Sequence, residues 1–260
     1  MIARKSYVGA ALFLTIATTA ACGTVAEQVE AEAKSPKDEL LASVPGPGEG
    51  AYRFDLKGNV TPISGVLDAT KKSMQVAVSQ SEPDAGFTLT ITSLVVDKQS
   101  WMKIAFKPAT LPGLPKIPKK WLLIDPAKAK GSDSIPVQYG DETDPGNVAD
   151  IVRNGTGITE PTPGHFAGTT DLTGLAEAEI VDQATLTALG ERAKTVPFEA
   201  VVDATGHVTS ATLKVPAAGK AKAVTYRVTY SGYGVTKSPV VPAAGEQQKA
   251  TATVYEMLNG

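Results

Sequence analysis

Residues 87–96 read FTLTITSLVV, and residues 74–79 before them read MQVAVS. In the first run Phe87, Leu89 and Ile91 alternate with Thr88, Thr90 and Thr92. In the second, Met74, Val76 and Val78 alternate with Gln75, Ala77 and Ser79. A period of two marks a strand with one apolar face and one polar face. Working outward, Tyr52, Phe54 and Leu56 alternate with Arg53, Asp55 and Lys57, and residues 101–106 return as a strand after the turn at 97–100. Leu94 to Val96 are apolar on both faces, which predicts a central position or a bulge there. Residues 121–125 add a short strand. Successive strands joined by short turns predict an antiparallel meander.

The segment KPATLPGLPKIPKK at 107–120 interrupts the pattern. Its prolines exclude helix and central strand. Two readings apply: a flap with Leu111, Leu114 and Ile117 as apolar contacts and Lys116, Lys119 and Lys120 facing anionic headgroups, or a plain surface connection. Residues 126–145 are loop-rich, and 147–153 fit a short helix. Residues 157–160 and 165–172 fit a hairpin, with Gly155-Thr156-Gly157 read as a turn. Residues 182–194 have helical spacing, with Asp182 as cap and Pro197 beyond the end. A second meander follows over 198–202, 208–215 and 223–230. Residues 240–248 read as a linker, and 250–257 as a last strand or a tail. Upstream, Ser35-Pro36-Lys37-Asp38 is a helix start whose Leu40, Leu41 and Val44 can dock on the domain. The fold class expected is α+β, mainly antiparallel β.

At the N-terminus, Arg4 and Lys5 precede an apolar run from Tyr7 to Ala17 and the small residues Ala20 and Ala21. This is the layout of an export signal, and the run is too short to span a bilayer as a helix. With Cys22 next, it resembles a bacterial lipobox. That resemblance implies a diacylglyceryl cysteine carrying acyl chains such as palmitate, although Thr19 stands where Leu is usual. The alternative is an ordinary signal that leaves a free thiol. Cys22 is the sole cysteine, and a lone exposed thiol is a liability in an exported protein. The expected organisation is a signal peptide at 1–21, a lipid-anchored tether with a short helix at 22–48, and one domain at 49–258. The expected location is the outer face of the cell membrane.

The net charge of −2 disfavours a nucleic-acid partner. No Gly-x-Ser-x-Gly elbow occurs, and His165 and His207 read as surface residues. No His-x-x-x-His or Cys-x-x-Cys pair suggests zinc. Asp141, Glu142, Asp144 and Asn147 do not follow the calcium-loop spacing and read as a solvated acidic loop. No cofactor, metal or catalytic residue is expected, and the chain is expected to be a monomer rather than an enzyme.

A lipid-anchored chain with a meander, a loop-rich helical middle and a second meander resembles the LppX/LprG group of actinobacterial lipoproteins. The local match runs through residues 168–172, the 182–194 helix, residues 196–203 (VPFEAVVD) and residues 226–234 (YRVTYSGYG) to Pro239, with Trp101 and Trp121 in the first half. As a pattern it covers residues 40–242. The resemblance implies a strongly curved sheet, a half-barrel closing over helices, akin to LolA-like carriers. It implies an apolar cavity for an acylated lipid or glycolipid, and no catalysis. Short helices cannot fill such a sheet, and each buried CH₂ of an acyl chain gains about 0.8 kcal/mol. The lining expected is Phe54, Val76, Val78, Leu89, Ile91, Phe198, Val202, Tyr226 and Val228. The alternative is an envelope-associated structural or protein-interaction module without a ligand.

Overall fold

The computed structural model describes residues 34–58, 62–109, 112–113, 115, 117–129, 136, 138–178 and 180–259. Among them, twelve strands form one sheet. The first meander is β1 (Tyr52–Lys57), β2 (Ile63–Asp68), β3 (Ser73–Glu82), β4 (Phe87–Val96), β5 (Gln99–Lys107) and β6 (Trp121–Ile124). The second is β7 (Gly155–Thr162), β8 (His165–Thr170), β9 (Val196–Val202), β10 (Val208–Val215) and β11 (Val224–Ser231). Antiparallel pairing of β1 with β11 welds the two into one sheet. β12 (Gln247–Lys249) adds to the outer edge of β6 in parallel. The strand order, β12-β6-β5-β4-β3-β2-β1-β11-β10-β9-β8-β7, leaves the sheet open, and it is curved.

Short helices sit on one face, here the inner face. α1 (Pro36–Ser43) is capped by Ser35, whose Oγ accepts the Asp38 amide at 3.2 Å and donates to the Asp38 carboxylate at 2.6 Å. α2 (Val148–Arg153) buries Val148, Ile151 and Val152, and α3 (Gln183–Leu189) buries Leu186 and Leu189. With Leu40 of α1 they close a large core over β1, β8–β11, the end of β2 and the start of β3. Leu40 is fully buried, and the compact unit that includes α1 begins at Lys34. The signal, Cys22 and the tether up to residue 33 lie outside the described residues.

Several local expectations change. Residues 250–257 are neither strand nor tail: α4 (Ala252–Asn259) puts Val254 and Leu258, four residues apart, into a second core. The 182–194 helix breaks at Gly190, which adopts φ +56°, and continues as a tighter 3-10 turn. Pro197 lies inside β9, where β10 pairs only from Phe198 onward, so its missing N–H costs no ladder bond on that side. The Gly155–Gly157 stretch is strand, not turn, with a register shift between Thr156 and Thr159. Leu94 to Val96 occupy a central strand with continuous register on both sides, so there is no bulge there.

Candidate functional site

The register places nine apolar residues side by side on nine neighbouring strands. Ile104, Ile91, Val78, Ile63, Leu56, Val228, Ala211, Ala200 and Phe166 are each directly opposite the next. At about 4.8 Å per strand this row crosses roughly 38 Å of sheet. Both ends are buried: Ile104 at one side, and everything from Leu56 to Phe166 at the other. The middle, Ile63, Val78 and Ile91, is only half-buried. Two residues along, Leu89 of β4 faces Phe106 of β5, and the Phe87 ring meets the Phe106 ring edge-on at 5.6 Å. These three are also half-buried. The inner face is therefore apolar throughout, and helices cover it unequally.

A polar clasp holds the covered side. Tyr230 and Tyr226 on β11, and Tyr52 on β1, point their hydroxyls at the segment before α2. Tyr230 donates to the Asp144 carboxylate and accepts the Gly146 amide at 3.1 Å. Tyr226 donates to the Gly146 carbonyl at 3.1 Å, and Tyr52 to the Thr143 carbonyl at 2.5 Å. The other Asp144 oxygen accepts the Ala149 amide at 2.7 Å, capping α2. Asp144 is 8% exposed, so the acidic loop expected in solvent turns inward here. The carboxyl group is kept in the core because each of its oxygens meets a donor, Tyr230 on one and Ala149 on the other. Desolvation pushes its pKa up to about 6, against the lowering effect of the Ala149 and Tyr230 hydrogen bonds. Burial, and the charge of Asp144, also push Tyr226 and Tyr230 well above the ordinary tyrosine value. Tyr233 extends the cluster, stacking on Tyr52 at 5.4 Å and on His207 at 4.4 Å. His207 Nε2 is 3.3 Å from Glu49.

The other side is held differently. After β11 the chain crosses the outer face as a strap. Ser238 donates to Asp68 at 2.6 Å and accepts from Lys71 at 2.8 Å. Farther on, the buried Trp101 donates through Nε1 to Gln247 at 2.7 Å. An outer groove of about 500 Å³ lies between Val66, Gln75, Leu94 and Trp121 and the strap. The strap then passes the sheet edge as β12 and delivers α4 to the inner face, over Met102, Ile104, Leu122 and Ile124.

Of the expected lining, Phe54, Val76, Phe198, Tyr226 and Val228 are fully buried in the large core. Val78 and Val202 are half-buried against it, and Leu89 and Ile91 are half-buried against the second core. Sequence reasoning left out Ile63 and Phe106 from this face. Ile63 was hidden because Gly65 holds a core position of β2: a Cβ there would meet Phe54 Cζ at 2.5 Å, so the Phe54 ring occupies the space a side chain would take. Phe106 carried the signal, as the end of an alternating run. Ile117 of the Pro/Lys segment packs, half-buried, on the second core, and Lys119 and Lys120 are exposed. Leu111, Leu114 and Lys116 lie outside the described residues. Among the described residues no group of three or more His, Cys, Asp or Glu could hold a metal ion.

No protein-family model and no curated protein matches the chain. Among solved structures, it is similar to the crystal structure of a LolA superfamily protein from Nitrosomonas europaea, at 10% sequence identity and a TM-score of 0.23, over 80% of this chain and 96% of that one.

Proposed function

We propose that this chain is an exported lipoprotein that holds an acylated lipid or glycolipid against the inner face of its sheet and transfers it within the cell envelope. The observation that carries the reading is the nine-strand row, apolar along its whole length yet half-exposed at Ile63, Val78 and Ile91 between two buried ends. A monomeric soluble domain gains nothing by leaving such a strip open, whereas an acyl chain laid on it gains about 0.8 kcal/mol per buried CH₂. Cys22 is assigned as the lipidated anchor that keeps the sheet near its ligand at the outer face of the membrane. The role is binding by a monomer, without cofactor or catalysis. The LppX/LprG-like reading of the sequence belongs to the same proposal, supported by the meander–helices–meander order.

Organic extraction of the chain purified from its native host, followed by mass spectrometry, tests it. A stoichiometric lipid beyond the Cys22 modification is expected, and a clean extract overturns the reading. A second reading, an envelope interaction module, draws on the strap, where Val235, Val240 and Val241 are 83%, 70% and 46% exposed. It predicts a protein partner lost on replacing these valines by serine, with no lipid extracted.

A further inference from the structure

We propose that the inner face of β5 and β6 is itself part of an acyl-chain site, and that α4 is a plug which the ligand displaces. The inference rests on the lipid reading above and adds where the chain goes and what it must move.

Three observations carry it. First, the core under α4 is separate from the large one and thin. From α4 it buries Val254 and Leu258, with Tyr255 half-buried beside them, set against Met102, Ile104, Leu122 and Ile124 of the sheet. Second, the half-exposed strip runs straight under the helix, because Ile91 is directly opposite Ile104 in the register. An acyl chain lying on Val78 and Ile91 therefore runs on to the surface that α4 covers, which has the same apolar chemistry. Third, α4 is lightly fastened. It reaches the inner face through β12, which pairs with β6 over three residues at the sheet edge. Its polar ties include the Tyr255 hydroxyl, which accepts the Asp125 amide at 2.9 Å, and Asn259, which donates to the Lys128 carbonyl at 2.9 Å. An open groove of about 910 Å³ is lined by Ala127 and Lys128 on one side and by Tyr255 and Glu256 of α4 on the other. The helix borders open space on that side, and it is held by two buried apolar side chains and the half-buried Tyr255 ring, over which the Lys128 ammonium sits at 5.8 Å. By contrast α1, α2 and α3 are fixed by the large core and the Asp144 clasp. Ligand and plug bury the same surface, so each lowers the apparent affinity of the other.

The test uses cis-parinaric acid, a fluorescent fatty acid, with the Cys22→Ala chain kept soluble. Amide exchange of α4 is followed by mass spectrometry with and without the probe. In the unmodified helix, saturating probe should speed exchange across α4 while α2 and α3 stay protected. The variant Val254→Ser/Leu258→Ser should bind the probe about tenfold more tightly, the plug having been weakened. Tyr255→Phe, which leaves the packing intact, should shift affinity in the same direction by a smaller factor. Saturable binding with unchanged α4 exchange, or weaker binding by both variants, overturns the plug while leaving the lipid reading in place. No probe binding by any form overturns both.

Discussion

The Tyr230 hydroxyl donates to the carboxylate of Asp144, eighty-six positions earlier in the chain and 8% exposed. This contact ties β11 to the start of α2 and keeps a carboxyl group in the core. Desolvation raises its pKa from 3.8 to about 6. A carboxyl whose folded pKa lies above its unfolded one favours folding in its protonated form. Its contribution is complete below about pH 3.8 and is lost as pH rises through about 6. The difference amounts to roughly 3 kcal/mol. Asp144→Asn keeps an acceptor for Ala149 and removes the titration. Urea unfolding at several pH values should show the variant gaining on the parent by up to that amount between pH 4 and pH 8. A constant gap would rule out Asp144 as the source.

At Gly65, a methyl group has nowhere to go. Its carbon would lie 2.2 Å from the Gln75 carbonyl oxygen and 2.5 Å from Phe54 Cζ. Gly65→Ala should cost about 3 kcal/mol by overpacking. At Gly140 nothing stands within 4 Å, so Gly140→Ala should stay within about 0.5 kcal/mol of the parent. Thermal unfolding of the two variants side by side checks both.

Core and ligand face should separate under mutation. Val228 is fully buried, and Val228→Ala should cost about 2 kcal/mol of stability. Ile91 is half-buried on the open strip. Ile91→Ser should cost about 1 kcal/mol and greatly reduce the lipid recovered by extraction from the native host. Equal lipid recovery from the two variants would remove Ile91 from the site.

Trp101 reports on the strap. Trp101→Phe keeps an aromatic ring but deletes the hydrogen bond to Gln247, worth about 1 kcal/mol, and leaves the space of the lost pyrrole ring in a fully buried site. Hydrogen exchange at β12 should rise, and exchange at α2 should not change.

Cys22→Ala should release the protein from the membrane fraction into the medium. Retention in the membrane would place the anchor elsewhere.

The period-two runs at Tyr52–Lys57, Ser73–Glu82 and Phe87–Val96 were legible because a sheet with one covered face writes its burial directly into alternate residues. The Ser35 cap and the Asp182 cap were legible for a similar reason, since a helix start satisfies its amides locally. These local rules determined the two meanders, their order and most of the apolar face. What lay beyond them depended on partners distant in sequence. β2 was invisible because the space above Gly65 belongs to Phe54. Residues 250–257 read as strand or tail until the second core gave Val254 and Leu258 a surface to pack on. Asp144 looked like a solvated carboxylate until Tyr230 and Ala149 enclosed it. The sequence alone thus determined which faces are apolar, because that is a property of neighbours along the chain. Only the tertiary structure decided how much of that surface the helices cover, because cover is supplied by segments the chain brings back from far away.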